Sequence, residues 1–260
     1  MPDNTSITIK DETINITSEA FDGCSGLTSV TIPESVTEIV DGVFYECSGL
    51  TSVIIPNSVT SIGSFAFCYC SALTSVTIGN SVTTIGDYAF AECTGLTSVT
   101  IPNSVTEIGE SAFYGCTGIS KITIPKTVQT VGSNAFACND KLEVYVEWED
   151  PSDETLSFDE QPFSDGIMQY GKLFVPTGTK TIYEQYDPWR NFFTIEEYTV
   201  DGIEEIEVDG GVTISVVGGK IVVNGAAMPR LRCLAPTARL YTAVRLTICP
   251  NLLQESISSA

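Results

Sequence analysis

The sequence has no histidine among its 260 residues. That removes the commonest general base, the side chain that titrates near neutral pH and the usual nitrogen ligand of zinc. Basic residues are scarce: 12 Lys and Arg stand against 33 Asp and Glu, a formal charge of -21. A surface of that sign repels nucleic-acid phosphates and anionic headgroups, so DNA, RNA and anionic membranes are excluded as partners. Long apolar runs are missing too. The longest, such as "TISVV" (Thr213 to Val217), fall far short of the roughly 20 residues that span a bilayer, so no transmembrane segment is expected. No basic and apolar leader opens the chain. Apolar residues still make up 43% of the whole, which supplies a substantial core.

What fills the chain instead is one unit repeated at a period of 23 residues. Leu27, Leu50, Leu73, Leu96 and Ile119 fall on it, as do Cys24, Cys47, Cys70, Cys93 and Cys116. Phe21, Phe44, Phe67, Phe90, Phe113 and Phe136 make a third series. Pairs such as Val30/Ile32 and Val53/Ile55 make a fourth, followed by Pro33, Pro56, Pro102 and Pro125, with Gly79 in place of the third proline. Leu-x-x-Val-x-Ile alternates as a short strand does, and Pro or Gly stops it. The segment that follows, of the type "SVTEIGESAFYGC", is too irregular for a long helix and predicts an arc or a 3₁₀ turn. Each unit is therefore expected to hold one strand and one arc. A lone unit cannot bury its apolar edge, whereas stacked units bury a continuous row, the logic of a solenoid. With rungs at Ile7/Ile9, the five units, Val144/Val146 and a last one at "KLFVP" (Lys172 to Pro176), a parallel sheet roughly 35 Å long is expected.

This unit resembles the leucine-rich repeat of BspA-like bacterial surface proteins of the Bacteroidetes type, over residues 1–198. The resemblance implies a right-handed leucine-rich repeat solenoid of β/α type, mostly β and coil, closed by a short capping helix near Lys180. It also implies a protein exposed on the cell surface or secreted, engaged in adhesion to host or bacterial proteins.

Nine cysteines invite a disulfide reading. Stacked side chains that point the same way suit disulfide geometry poorly, so Cys24, Cys47, Cys70, Cys93 and Cys116 are read as small buried thiols lining a turn, structural like Phe44, Phe67, Phe90, Phe113 and Phe136. Cys68-x-Cys70 has neither zinc nor redox spacing, and no histidine stands by to activate it.

From Glu147 the acidic insertion "EWEDPSDETLSFDEQPFSD" replaces the arc. Its carboxylates lack the Asp-x-Asp-x-Asp-Gly order of a calcium loop and are read as solvated. Trp189, Phe192, Phe193 and Ile195 are expected to form a lid over the last rung, as terminal repeats require; an aromatic ligand site is the alternative reading. The expected domains are repeats at 1–146, with the first unit truncated, a degenerate repeat and cap at 147–198, and a linker and partial β domain at 199–227. That last segment resembles the start of C-terminal β domains of exported Bacteroidetes proteins. Residues 228–260 are read as an out-of-frame or disordered tail, because Met228 to Arg245 holds four arginines and no acid. Met1 stands where the repeat cysteine belongs, so the start is read as a truncation that removed any signal peptide.

On the sheet, Ser29, Thr31, Ser52, Ile54, Ser75, Thr77, Ser98, Thr100, Lys121, Thr123 and Tyr145 alternate outward and are the candidate partner-binding residues. Ile54, Lys121 and Tyr145 depart from the hydroxyl carpet and head the search. No P-loop, nucleophile elbow or carboxylate pair is recognisable, so no catalytic residue, metal or cofactor is expected. The leading reading is a monomeric, non-enzymatic module that binds extracellular or host proteins. A glycan-binding surface protein, with Tyr45, Tyr88 and Tyr114 as further platforms, and a purely structural surface repeat remain open.

Overall fold

The computed structural model describes residues 2, 4–159 and 161–199, and three strands beyond them at Ile206–Val208, Val212–Val217 and Lys220–Asn224. The chain divides into two compact units, Met1–Tyr198 and Thr199–Ala260.

The first unit is a parallel β-solenoid. Thr5–Thr8, Leu27–Thr31, Ser52–Ile54 and Ser75–Thr77 form one four-stranded sheet. Lys121–Ile124, Glu143–Val146, Lys172–Pro176 and Ile195–Tyr198 form another. Between them the unit at Ser98 keeps Val99 and Ile101 buried without pairing as a strand, so the ladder is interrupted there. The last rung is Ile195–Tyr198 rather than Lys172–Pro176: Leu173 pairs with Ile195 and Phe174 with Glu196.

Most units carry a second strand after the first, where one was expected. Glu38–Ile39, Ser61–Ile62, Thr84–Ile85, Glu107–Ile108, Thr130–Val131 and Ser157–Phe158 build a second, six-stranded parallel ladder. Two residues leave no alternation to read in the sequence, which is why this ladder shows only as an isolated buried Ile or Val. Threonines lace the rungs together: the hydroxyls of Thr51 and Thr74 donate to the carbonyls of Thr28 and Thr51 at 3.1 and 3.0 Å. Those of Thr83 and Thr106 do the same beside the second ladder.

The arcs are turns, not 3₁₀ helices; among the described residues the 3₁₀ segment is Trp189–Asn191. Inside them the phenylalanines stack. Rings from Phe21 through Phe44, Phe67, Phe90, Phe113 and Phe136 lie 5.2 to 5.8 Å apart and nearly parallel, and Phe163 extends the column at 5.8 Å. Beside it runs a column of thiols. Cys47, Cys70, Cys93, Cys116 and Cys138 are buried and each Sγ donates to a phenylalanine carbonyl of the previous rung, from 3.0 to 3.2 Å. Cys24, at the head of the column, is half-buried. All seven cysteines among the described residues are unpaired.

At the C-terminal side, helices α1 (Asp165–Tyr170) and α2 (Lys180–Tyr183) precede the final strand. The sequence foreshadowed α2 and not α1, which starts on Ser164, whose hydroxyl accepts the Ile167 N–H. Trp189 is buried among Trp148, Phe158, Phe163 and Tyr183, with ring centroids 5.0 to 5.7 Å away. Phe192 and Ile195 are buried beside it, but Phe193 is 86% exposed and does not join the lid. Adjacent residues in extended chain face opposite ways, so Phe192 and Phe193 cannot both point inward.

The second unit's described strands form an antiparallel sheet in sequence order, with Ile206 opposite Ile214 and Ile214 opposite Val223. The readings made for Met1 and for residues 228–260 lie outside the described residues.

Candidate functional site

The strand register sorts the outward side chains of the first ladder into two rows. One runs Ser6, Ser29, Ser52 and Ser75, with Ser98 at the same repeat phase, and continues as Lys121, Glu143 and Lys172. The other holds Thr8 and Thr31, then Ile54 and Thr77, with Thr100 in phase, and ends in Thr123, Tyr145, Phe174 and Glu196. Thr31, Ser52, Ser75, Thr77, Ser98, Thr100 and Lys121 are exposed, while Ser29, Thr123 and Tyr145 are half-buried. Chemically the face has two zones: hydroxyls as far as Thr100, then charges and rings.

Ile54, 69% exposed, stands alone among threonines of its row. Lys121 and Tyr145 come together: the Lys121 ammonium sits 3.8 Å from the Tyr145 ring centroid. On the other flank Phe174 stacks on Tyr145 at 4.3 Å, with 6° between the planes. Tyr198 meets Tyr145 edge-on at 5.1 Å, its hydroxyl donating to the Val146 carbonyl at 3.0 Å. Lys172 lies 6.0 Å from the Phe174 centroid and pairs with Glu196 at 3.0 Å. Burial and the charge of Glu143 raise the Tyr145 hydroxyl above its ordinary pKa, so it stays a neutral donor, reaching Glu143 at 3.4 Å.

Of the three departures from the hydroxyl carpet, Lys121 and Tyr145 belong to this cluster and Ile54 stands apart. Phe174, Lys172, Glu143 and Glu196 complete the cluster and are not among the residues expected from the sequence. The signal for Phe174 and Lys172 was present: "KLFVP" has the spacing of a rung, so its first and third residues face outward with Lys121 and Thr123.

Elsewhere the chemistry is quiet. Asp150 and Asp153 in the acidic insertion each accept from a hydroxyl and an N–H two residues on, Ser152 and Thr155, which lowers both carboxyls. Among the described residues no three His, Cys, Asp or Glu side chains converge to hold a metal. A shallow hollow of about 610 Å³ beside the lid is lined by Asp165, Met168, Arg190, Phe192 and Phe193 among others. Trp189 is sealed beneath the lid and offers no ring face to a ligand. No helix among the described residues is long and apolar enough to cross a membrane.

No curated protein matches the chain. The BspA type leucine-rich repeat region, in six copies, matches residues 3–92 and 60–183. A leucine-rich repeat protein of T. pallidum aligns with a TM-score of 0.54 and 22% identity, over 70% of this chain and 84% of that one, a likeness of fold. A leucine-rich cell surface protein of Faecalibacterium prausnitzii A2-165 aligns at 0.43 and 25% identity, over 84% and 53% of the two chains. The pneumococcal vaccine antigen PcpA aligns at 0.46 and 18%, over 75% and 56%. The chain spans just over half the length of these last two. A repeat model matched from residue 3 to residue 183, on the period that sets the register of both ladders, leads to one conclusion: the chain belongs to the BspA type leucine-rich repeat family.

Proposed function

We propose that the protein is a non-enzymatic adhesion or protein-binding module, displayed on the cell surface or secreted, that contacts its partner through the charged and aromatic end of the sheet face. In this reading residues 1–146 are the scaffold, 147–198 the cap that completes the site, and 199–227 part of a separate β domain. The observation that carries it is the change along the outward-facing rows, across the break at Ser98, from hydroxyls to Lys121, Tyr145, Phe174 and Lys172. Ring and cation anchors dominate binding energy at protein interfaces, and a stacked, prepositioned set loses little entropy on contact. The uniform rows before it serve the ladder, since stacked threonines bond their neighbours and need no ligand. An extracellular location rests on the family resemblance.

The geometry weighs against a sugar platform at Tyr145. Stacking on a sugar needs an open ring face, and the two faces of Tyr145 look toward the strands that carry Lys121 and Phe174. What it offers to solvent is an edge and a hydroxyl. Binding of the full chain to a panel of purified extracellular proteins and to a glycan array tests the reading, with Tyr145→Ser plus Phe174→Thr as the variant. Retention of a protein by the wild type and its loss in the variant is expected. Retention of glycans with no protein would overturn the proposal.

A further inference from the structure

A second surface lies on the arcs, away from the sheet face, and its backbone draws attention to it. At two phases of the repeat the chain enters the left-handed region: at Glu19, Gly42, Phe65, Tyr88, Ser111 and Asn134, and again four residues later at Gly23, Glu46, Tyr69, Glu92 and Gly115. Bonding between the arcs of successive rungs holds it there, since the N–H groups of Phe65, Tyr69 and Tyr88 each donate to a carbonyl of the next rung at 2.8 Å. Glycine and asparagine accept this conformation readily. Phe65 and Tyr69 accept it at a cost that burial does not offset, because they are 42% and 47% exposed, while Tyr88 is half-buried. Strain held at exposed side chains points to a role outside the fold.

The rings these positions present are grouped. Phe65 and Tyr69 both stand nearly perpendicular to Tyr45, at 6.5 and 5.9 Å, and Phe65 stacks on Tyr88 at 4.9 Å. Carboxylates border them. Glu46 adjoins Tyr45 in the chain, the Tyr88 hydroxyl donates to Glu110 at 2.8 Å, and burial together with the charges of Glu92 and Glu46 raises the intervening Cys68 thiol to about 11. No cation of this part of the chain answers them. From Asp11 to Ser120 there are 12 Asp and Glu and no Lys or Arg. Among the described residues the cation–aromatic pairs are those at Tyr145 and Phe174, on the sheet face. Ring faces and carboxylates share one preference, for a cation with flat faces and several donors.

We propose that the arc surface formed by Tyr45, Phe65, Tyr69 and Tyr88 between Glu46 and Glu92 binds an arginine-bearing segment of a partner protein. The site is independent of the sheet-face reading and stands or falls separately. The test is fluorescence anisotropy of labelled oligoarginine and oligolysine with the full chain at physiological ionic strength. Oligoarginine binds more tightly than oligolysine, and Phe65→Gly with Tyr69→Gly weakens it about tenfold. The same variant keeps or raises the thermal midpoint, because glycine suits both backbone positions, an outcome that a purely structural role for the rings would reverse. Tyr69→Asn alone leaves the Phe65–Tyr88 stack in place and weakens binding about threefold. Glu38→Gln with Glu107→Gln removes two charges from the second ladder rather than from the arc and leaves binding within about twofold. Unchanged affinity in the ring variants, equal loss in the Glu38/Glu107 variant, or no binding of oligoarginine by the wild type would each overturn the proposal.

Discussion

The thiol column makes the protein sensitive to alkali in a way that can be worked out in advance. Burial is the leading cause that raises Cys47 and Cys138 from 9.0 to about 12 and Cys68 to about 11, and it pushes Cys70, Cys93 and Cys116 up as well. In the unfolded chain these thiols ionise near their ordinary value; in the fold they keep their protons. Below about pH 9 both states are protonated and the column stabilises fully. Above it the unfolded chain releases protons that the folded chain holds, so stability falls as pH rises toward the folded values. At pH 10, one unit above the unfolded pKa of 9.0, each such thiol loses ~1 kcal/mol. The five buried thiols of the column and Cys68 beside it together lose several kcal/mol, a large part of the stability of about 5–15 kcal/mol typical of folded proteins. Urea titrations followed by circular dichroism from about pH 7 to pH 10.5, with reductant present, should show a midpoint that holds steady and then collapses. Cys93→Ala should flatten the decline by about one-sixth. A midpoint that stays level between about pH 8 and pH 10 would refute the reasoning, as would a Cys93→Ala curve as steep as the wild type's.

Other consequences are simpler. Phe90→Ala removes a fully buried ring stacked on both sides and should cost about 3–5 kcal/mol in chemical denaturation; Phe21→Ala, half-buried at the head of the column, should cost about half as much. Tyr183→Phe removes a hydroxyl that donates to the Trp148 carbonyl at 2.7 Å in a buried setting, for a loss of about 1–3 kcal/mol in the same assay. Gly86→Ala places a Cβ 2.8 Å from the backbone of Gly63 and Ser64, which cannot swing aside; a drop of at least ~2 kcal/mol is expected, and a neutral result would show that the rungs can separate.

The sequence revealed most where the period is unbroken. Leu27 to Ile119 and Phe21 to Phe136 advance by a fixed step, and a fixed step in a stacked fold means a shared place in the core. It was silent where the step changes. Phe163 joins the ring column although it follows Phe136 by 27 residues, because the acidic insertion lengthens that rung without displacing its arc. The site was half legible for the same reason: Tyr145 lies only one residue off phase, while Phe174 lies beyond the insertion. The left-handed positions at Phe65 and Tyr69 left no mark at all, since an aromatic residue carries no signal for positive φ. Only the recurrence of Gly42, Gly23 and Gly115 at those phases hinted that something there favours glycine.

The threonine lacing and the two ladders have a consequence for how such a protein can change. Thr51 finds its acceptor 23 residues back, and so do Thr74, Thr83 and Thr106. A duplicated or deleted unit in the middle of the array therefore restores every one of these bonds, because each newcomer meets the partners that its predecessor had. The distance from the first rungs to the Tyr145 cluster then becomes an adjustable length, set in steps of about 4.8 Å. The near-identical coding segments that such repeats imply are the substrate on which unequal exchange would act, so reach could drift between lineages while the contact chemistry at the far end stays fixed.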